Sequence, residues 1–251
     1  MDVIFLLITG LIAGTLGGLL GIGGCVIMLP ALAFLFNYPL PVAIGTTITA
    51  VILTASSGAL GHLRLKNVDY STAKVVALSG VLGSLIGSIA FFYIHIWLLN
   101  LILGFAFLYV SIRMVYEGVV RRIPENPGNV VPGSLRAKAT IGFFIGIVTG
   151  VVGLGGGYAL VPSFIYILGS PVKIAVGTSL ASFLGMAVVS GAFKIYQGVV
   201  DLTAAISLGV GTVIGAQVGA RLTRIVPSWF IKSVFGFVFL YVSLKFIWQG
   251  F

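Results

Sequence analysis

The chain has 251 residues, 59% of them hydrophobic and 8% charged, with a mean hydropathy of +1.20. Charged residues make up about a quarter of a water-soluble globule, so this composition excludes one and reads as a polytopic integral membrane protein. Fourteen Lys and Arg against five Asp and Glu give a formal charge of +9, a balance that in a soluble protein suggests nucleic acid but that the cytoplasmic loops of a membrane protein collect anyway.

Membrane lipid, not nucleic acid, is therefore the expected surroundings. The single cysteine, Cys25, excludes an intrachain disulfide, a two-cysteine redox pair and a thiolate zinc cage. No HExxH, GxSxG or Walker sequence is present, so neither an enzyme nor a cofactor is expected.

The first apolar segment, residues 3 to 36, lacks the basic region that opens a secretory signal and has an internal counterpart, so it is expected to be mature structure. As one helix it would be about 51 Å long against a hydrocarbon core of about 30 Å. A glycine cluster interrupts it in GTLGGLLGIGGCVIMLP, Gly14 to Pro30. The expectation is a broken element, two helical arms folded as a hairpin around the GIGG turn. Backbone broken at that depth is tolerated only inside protein or beside an aqueous cavity.

Three more apolar segments follow at residues 42 to 61, 72 to 93 and 97 to 117. A polar stretch, Arg121 to Gly133, then carries Pro124, Pro127 and Pro132. Beyond it the pattern returns at an offset of 132 without a gap. Gly146 to Pro162 reads GIVTGVVGLGGGYALVP, Gly45 and Thr46 match Gly177 and Thr178, and Asp69 matches Asp201. GFAFLYVS at 104 to 111 matches GFVFLYVS at 236 to 243. The second set of apolar segments is 135 to 168, 174 to 193, 203 to 223 and 229 to 249.

The expected organisation is thus all-α: a transmembrane repeat at 1–119, a cytoplasmic linker at 120–132 and a second transmembrane repeat at 133–251. If each hairpin returns to its starting side, the repeats are inverted and 12 of the 14 Lys and Arg share one face, leaving Lys194 and Lys245 opposite; a single crossing gives 10 to 4. The positive-inside rule favours inversion, with both termini outside.

The glycine turns are the first candidate site: Gly21, Gly23 and Gly24 in one copy, Gly153, Gly155, Gly156 and Gly157 in the other. A helix that starts beside such a break presents unpaired N–H groups and its positive end, a seat for an anion. Broken helices at a repeat interface are also the recurring binding device of secondary transporters. The plainer alternative is close helix packing, which is the reading preferred for Gly83, Gly87, Gly215 and Gly219.

The following segments begin AIGTT and AVGTS. Thr46 and Thr49 lie one turn apart on one face, as do Thr178 and Ser182. Their hydroxyls either line an anion path or bond to their own helix carbonyls. Asp69 and Asp201 read as helix N-caps. Cys25 either faces the cargo or fills a tight gap. Gln217 either donates to an anion or bridges two helices. His62 and His95 are expected at the interfaces.

With its two glycine-rich hairpins, each followed by a proline and then by AIGTT or AVGTS, the whole chain resembles the TauE/SafE sulfite exporter family, within the wider four-span sulfur-anion permeases. That resemblance implies a multi-pass protein of the prokaryotic plasma membrane that moves a small anion such as sulfite, sulfoacetate or another organosulfonate, most simply outward. A related thiosulfate branch uses cysteines near its pore. This chain has only Cys25, which favours a fully oxidised or sulfonate cargo. Two alternatives stay open, a permease or channel for another solute or a metal ion, and a non-transporting scaffold or sensor subunit. Homodimerisation is open as well.

Overall fold

The computed structural model describes residues 3–116, 128–153, 156–222 and 228–250. Among them every regular element is helical. In the first copy these are α1 (Val3–Leu20), α2 (Cys25–Pro30, continued by a π turn Ala31–Leu35), α3 (Leu40–Arg64), α4 (Tyr70–Ala90) and α5 (Ile96–Val115). In the second they are α6 (Leu135–Val152), α7 (Gly157–Pro162, continued by a π turn Ser163–Ile167), α8 (Val172–Tyr196), α9 (Leu202–Leu222) and α10 (Ser228–Gly250). Among the described residues seven helices are long and apolar enough to cross a membrane. The chain is a polytopic all-α membrane protein. The first apolar segment of each copy is broken at its glycine cluster. Much of the linker expected at 120–132, its residues 120–127, lies outside the described residues.

Two compact units form, and they do not follow the boundary between the sequence copies. One holds α1–α4 and α6–α9. Its frame consists of two helix pairs in very close approach. Gly10, Gly14 and Gly18 of α1 lie against Leu208, Thr212 and Ala216 of α9, while Gly142, Gly146 and Gly150 of α6 lie against Val76, Gly80 and Ser84 of α4. Shifting residue numbers by 132 converts one ladder into the other. The absence of a Cβ lets backbone meet backbone, which supplies dispersion contacts where lipid gives no hydrophobic drive for association. Gly83, Gly87, Gly215 and Gly219 are rungs of the same ladders, facing the carbonyls of Phe143, Ile147, Leu11 and Thr15.

Within each ladder the residue numbers rise together, so α1 and α9 run in one direction, as do α4 and α6. The same holds for α3 with α9, through Leu53 on Gly209 and Gly61 on Ala220. Between α3 and α8 the order reverses, because Gly58 meets Leu180 while Gly191 meets Thr49 and Ile52. Gln217 donates from α9 to the Ser57 carbonyl of α3 at 2.7 Å and to its hydroxyl at 3.1 Å, so it bridges helices.

The other unit is the pair α5 and α10, where the repeated octapeptide meets its own echo. Gly104 lies against Ser243 and Ile247, and the Ser111 hydroxyl donates to the Gly236 carbonyl at 2.7 Å. Phe107 stacks on Phe246 with ring centroids 5.7 Å apart and tilts against Phe239 at 5.9 Å.

Candidate functional site

At the first break α1 ends because Gly21 turns into the left-handed region at φ +74°, followed by Gly23 at +73° and Gly24 at +75°. Only glycine enters that region without steric cost. Gly24 then lies against the Ala13 carbonyl and beside Gly17, so α2 starts back alongside α1. Gly21 donates its N–H to the Gly17 carbonyl at 2.9 Å, whereas the N–H groups of Ile22, Gly23 and Gly24 find no acceptor among the described residues. All three residues are buried. Successive unpaired amides in such a turn form an anion-binding concavity.

The second break is not a copy of the first. Gly153 caps α6 at φ +65°, but Gly156 is right-handed at −59°. Thr149 stands where the first copy has Gly17, and that glycine is the residue against which Gly24 folds. Gly155 lies outside the described residues. The two breaks meet directly, since Gly157 sits on the Gly21 carbonyl and the Ile22 backbone. Phe183 of α8 is wedged between them. A Cβ on Gly23 would stand 3.5 Å from one edge of its ring and a Cβ on Gly156 3.2 Å from the other. Val51 of α3, the repeat counterpart of Phe183, comes within 3.1 Å of the same Gly23 position.

The hydroxyls divide into two kinds. Thr49 and Ser182 donate to carbonyls one turn back, Gly45 at 2.8 Å and Thr178 at 2.7 Å, so their protons are committed. Thr46 and Thr178 instead accept, from the Asp201 amide at 3.0 Å and the Asp69 amide at 2.9 Å. Those two bonds cross between the sequence copies and leave both hydroxyl protons without an acceptor among the described residues. Cys25 is fully buried, with its Sγ donating to the Ile22 carbonyl at 3.2 Å.

Sequence reasoning counts Ser179 among the hydroxyls of its span without placing it at the site, and passes over Thr47 and Thr149. The Ser179 hydroxyl donates to the Gly21 carbonyl at 2.9 Å. Its counterpart Thr47 and the Thr149 hydroxyl are buried with no hydrogen-bond partner. The signal for the first two was present in AIGTT and AVGTS, but helical spacing drew attention to the residues beside them. Two expectations are corrected. His62 is not interfacial; it is fully buried on α3, with Nε2 2.9 Å from the Gly18 carbonyl. Lys194, expected as a charge at the membrane face, is fully enclosed by protein near the end of α8.

Asp69 and Asp201 cap α4 and α9. The Asp69 carboxylate accepts from the amides of Ser71 at 3.0 Å, Thr72 at 3.2 Å and Val131 at 3.0 Å, and from the Thr72 hydroxyl at 2.7 Å. Lys138 closes the cluster by donating to the Thr72 hydroxyl and the Val131 carbonyl. Asp201 accepts from the Ala204 amide at 2.9 Å and the Tyr38 hydroxyl at 2.7 Å. Burial pulls the Asp69 carboxyl up, but the bonds from Thr72 and Val131, with Lys138 nearby, outweigh it and hold the group below its usual range. For Asp201 the Ala204 amide leads and the Tyr38 hydroxyl follows, again downward. Burial first, then Asp201, pushes the Tyr38 phenol up.

A carboxyl depressed in the folded state stabilises fully above its unfolded value of about 3.9 and loses that contribution as pH falls through the folded one. Asp201→Ala should therefore cost about 1 kcal/mol at pH 7, the worth of an N-cap. Its deficit against wild type should shrink once the pH drops below about 4. Thermal unfolding in detergent at stepped pH reads this directly, and a deficit unchanged from pH 7 to pH 3 contradicts it.

The family model described as "Sulfite exporter TauE/SafE" matches residues 6–246. The chain is 28% identical over 270 residues to the probable membrane transporter protein YunE of Bacillus subtilis (strain 168), covering 100% of this chain and 99% of that one. It is 28% identical to a probable membrane transporter protein of Xylella fastidiosa (strain 9a5c), over 96% of this chain and 94% of that one. A probable membrane transporter protein of Methanocaldococcus jannaschii is 24% identical over 95% of this chain and 94% of its own length. No solved structure matches. A multi-pass plasma-membrane architecture, a broken glycine helix in each half and a match along nearly the whole chain converge on one assignment: the chain belongs to the TauE/SafE family of membrane transporters.

Proposed function

We propose that this transporter moves a small sulfur-containing anion, sulfite, sulfoacetate or another organosulfonate, outward across the plasma membrane, and that the anion is held where the two glycine turns meet. The observation that carries the reading is the run of three buried N–H groups, Ile22, Gly23 and Gly24, with no acceptor. A buried amide without a partner is costly and rare in native structures, and an anion satisfies several at once. In this reading Gly21, Gly23, Gly24 and Cys25 line one side of the seat, and Gly153, Gly156 and Gly157 the other. The uncommitted protons of Thr46 and Thr178 lie at the start of α3 and α8. Gln217 ties α9 to α3, while Thr49 and Ser182 are engaged with carbonyls of their own helices.

The two copies act as inverted halves in this reading. Support comes from the ladders related by 132 residues and from the opposite running of α3 and α8. Alternating access then consists of rocking one half against the other around the fixed turns, with Phe183 and Val51 as the bulky groups that must move. A flux panel on the purified chain in proteoliposomes, offering sulfite, sulfoacetate, taurine, thiosulfate and divalent metals with and without a pH gradient, tests the cargo. Saturable movement of sulfite or a sulfonate is expected. Movement of metals or neutral solutes alone would sink the proposal.

A further inference from the structure

We propose that Lys194 supplies the positive charge that receives the transported anion beside the second glycine turn, with the hydroxyls of Ser88 and Ser190 as its companions. The inference rests on the anion reading above and adds to it the side chain that neutralises the cargo.

The repeat supplies the comparison. Lys194 of α8 occupies the position that His62 holds on α3. His62 closes its site against the Gly18 carbonyl, three residues before the first turn begins at Gly21. Lys194 is fully buried, yet its Nζ has no hydrogen-bond partner, and it stands 2.9 Å from the centroid of the Phe91 ring. A cation over an aromatic face recovers only part of the hydration a buried ammonium gives up. Ionisable groups inside a membrane protein are by default functional, with a partner to be found.

The surroundings are equally unfinished. Ser190, one helical turn before Lys194, and Ser88 on α4 are fully buried with unpaired hydroxyls, and the Gln197 side-chain carbonyl is unpaired too. Gln197 donates its amide to the Ser88 carbonyl at 2.9 Å, which fixes the end of α8 against the end of α4. These are four of the eight buried side-chain atoms without a partner among the described residues. One ammonium and two hydroxyls give convergent donors, the complement of an oxyanion.

Backbone contacts bring this cluster to the second turn. A Cβ on Gly150 would stand 2.6 Å from the Ser88 nitrogen, and Gly150 lies three residues before Gly153. Gly153 abuts Ile44, Gly45 abuts the Val199 carbonyl, and Gly191 lies against Thr49. The ends of α4, α6 and α8 and the start of α3 thus converge on one place. In the first copy the corresponding place is occupied by an imidazole whose Nε2 meets the Gly18 carbonyl while its Nδ1, like the Lys194 ammonium, is buried without a partner.

The test is anion-dependent thermal stabilisation of the detergent-solubilised chain, titrated with sulfite, sulfoacetate, sulfate and chloride at constant ionic strength. Wild type and Lys194→Met are compared, together with the pair Ser88→Ala and Ser190→Ala. A group awaiting a ligand destabilises the empty protein, so Lys194→Met should melt at or above wild type without anion and bind at least tenfold more weakly. If Lys194→Met does not fold, the serine variants decide: apparent affinity at least fivefold weaker supports the proposal, and unchanged affinity overturns it. An equal anion response in wild type and Lys194→Met overturns the role of Lys194 alone. Absence of any anion response in wild type overturns both this proposal and the anion reading beneath it.

Discussion

Valine at Gly23 is expected to abolish anion flux while folded protein still reaches the membrane. Gly23 holds φ at +73°, where an L side chain costs about 1–2 kcal/mol, and a β-branched one fits least well. Its Cβ would stand 3.1 Å from the Val51 methyl and 3.5 Å from Phe183, so the branch methyls crowd the turn whose amides are free. Losing two hydrogen bonds to a charged ligand removes about 3 kcal/mol or more, which is about a hundredfold in affinity. Initial rates in proteoliposomes, normalised to monodisperse protein, measure the effect. Gly23→Ala separates the causes, because it carries the backbone strain with less obstruction and should keep partial flux. Gly153→Val should behave like Gly23→Val, since Gly153 is left-handed at +65° and its Cβ would stand 2.6 Å from an Ile44 methyl. Unaltered flux in both valine variants would remove the turns from the transport site.

Leucine at Gly146 should cost stability more than any single surface change, on the order of 3 kcal/mol, and strip most of the folded protein from the membrane fraction. In an isolated helix, replacing glycine gains about 1 kcal/mol in propensity, so the expected sign here is reversed. A Cβ at Gly146 would overlap the Gly80 carbonyl and stand 2.8 Å from its Cα. Both are backbone and cannot rotate away. Gly14→Leu should fail in the same way through the related contact with Thr212. Native stabilities of about 5–15 kcal/mol leave little reserve against such losses. Denaturant titration together with the monodisperse yield checks both variants. A neutral Gly146→Leu would show that α4 and α6 do not touch along this ladder.

The helical segments were legible to within a few residues. The segment read at 42–61 is Leu40–Arg64, and that read at 203–223 is Leu202–Leu222. The breaks at Gly21 to Gly24 and at Gly153 onward were legible as well, because glycine density and excess length are local facts. The capping of α4 and α9 by Asp69 and Asp201 follows from position alone and is what forms. What was misplaced is equally specific. Lys194, two residues before the end of α8, reads as an interfacial charge, and His62 near the end of α3 reads the same way, yet both are enclosed. Phe183 carried no signal at all. In one apolar helix it is indistinguishable from any other phenylalanine until Gly23 and Gly156 are brought to either side of it.

The sequence by itself therefore determined which stretches can enter a membrane, where the first of each set must break, and that one unit occurs twice at an offset of 132. Only the tertiary structure decided which groups meet: Thr46 with Asp201, Thr178 with Asp69, Gly157 with Gly21, and Lys194 with Phe91 but with no hydrogen-bond partner. The reason is that lipid and protein interior are alike apolar, so hydropathy marks a span without marking which face of it is turned inward. The inward faces are set by backbone-to-backbone contacts between glycines and residues sixty or more positions away, and no local pattern encodes them.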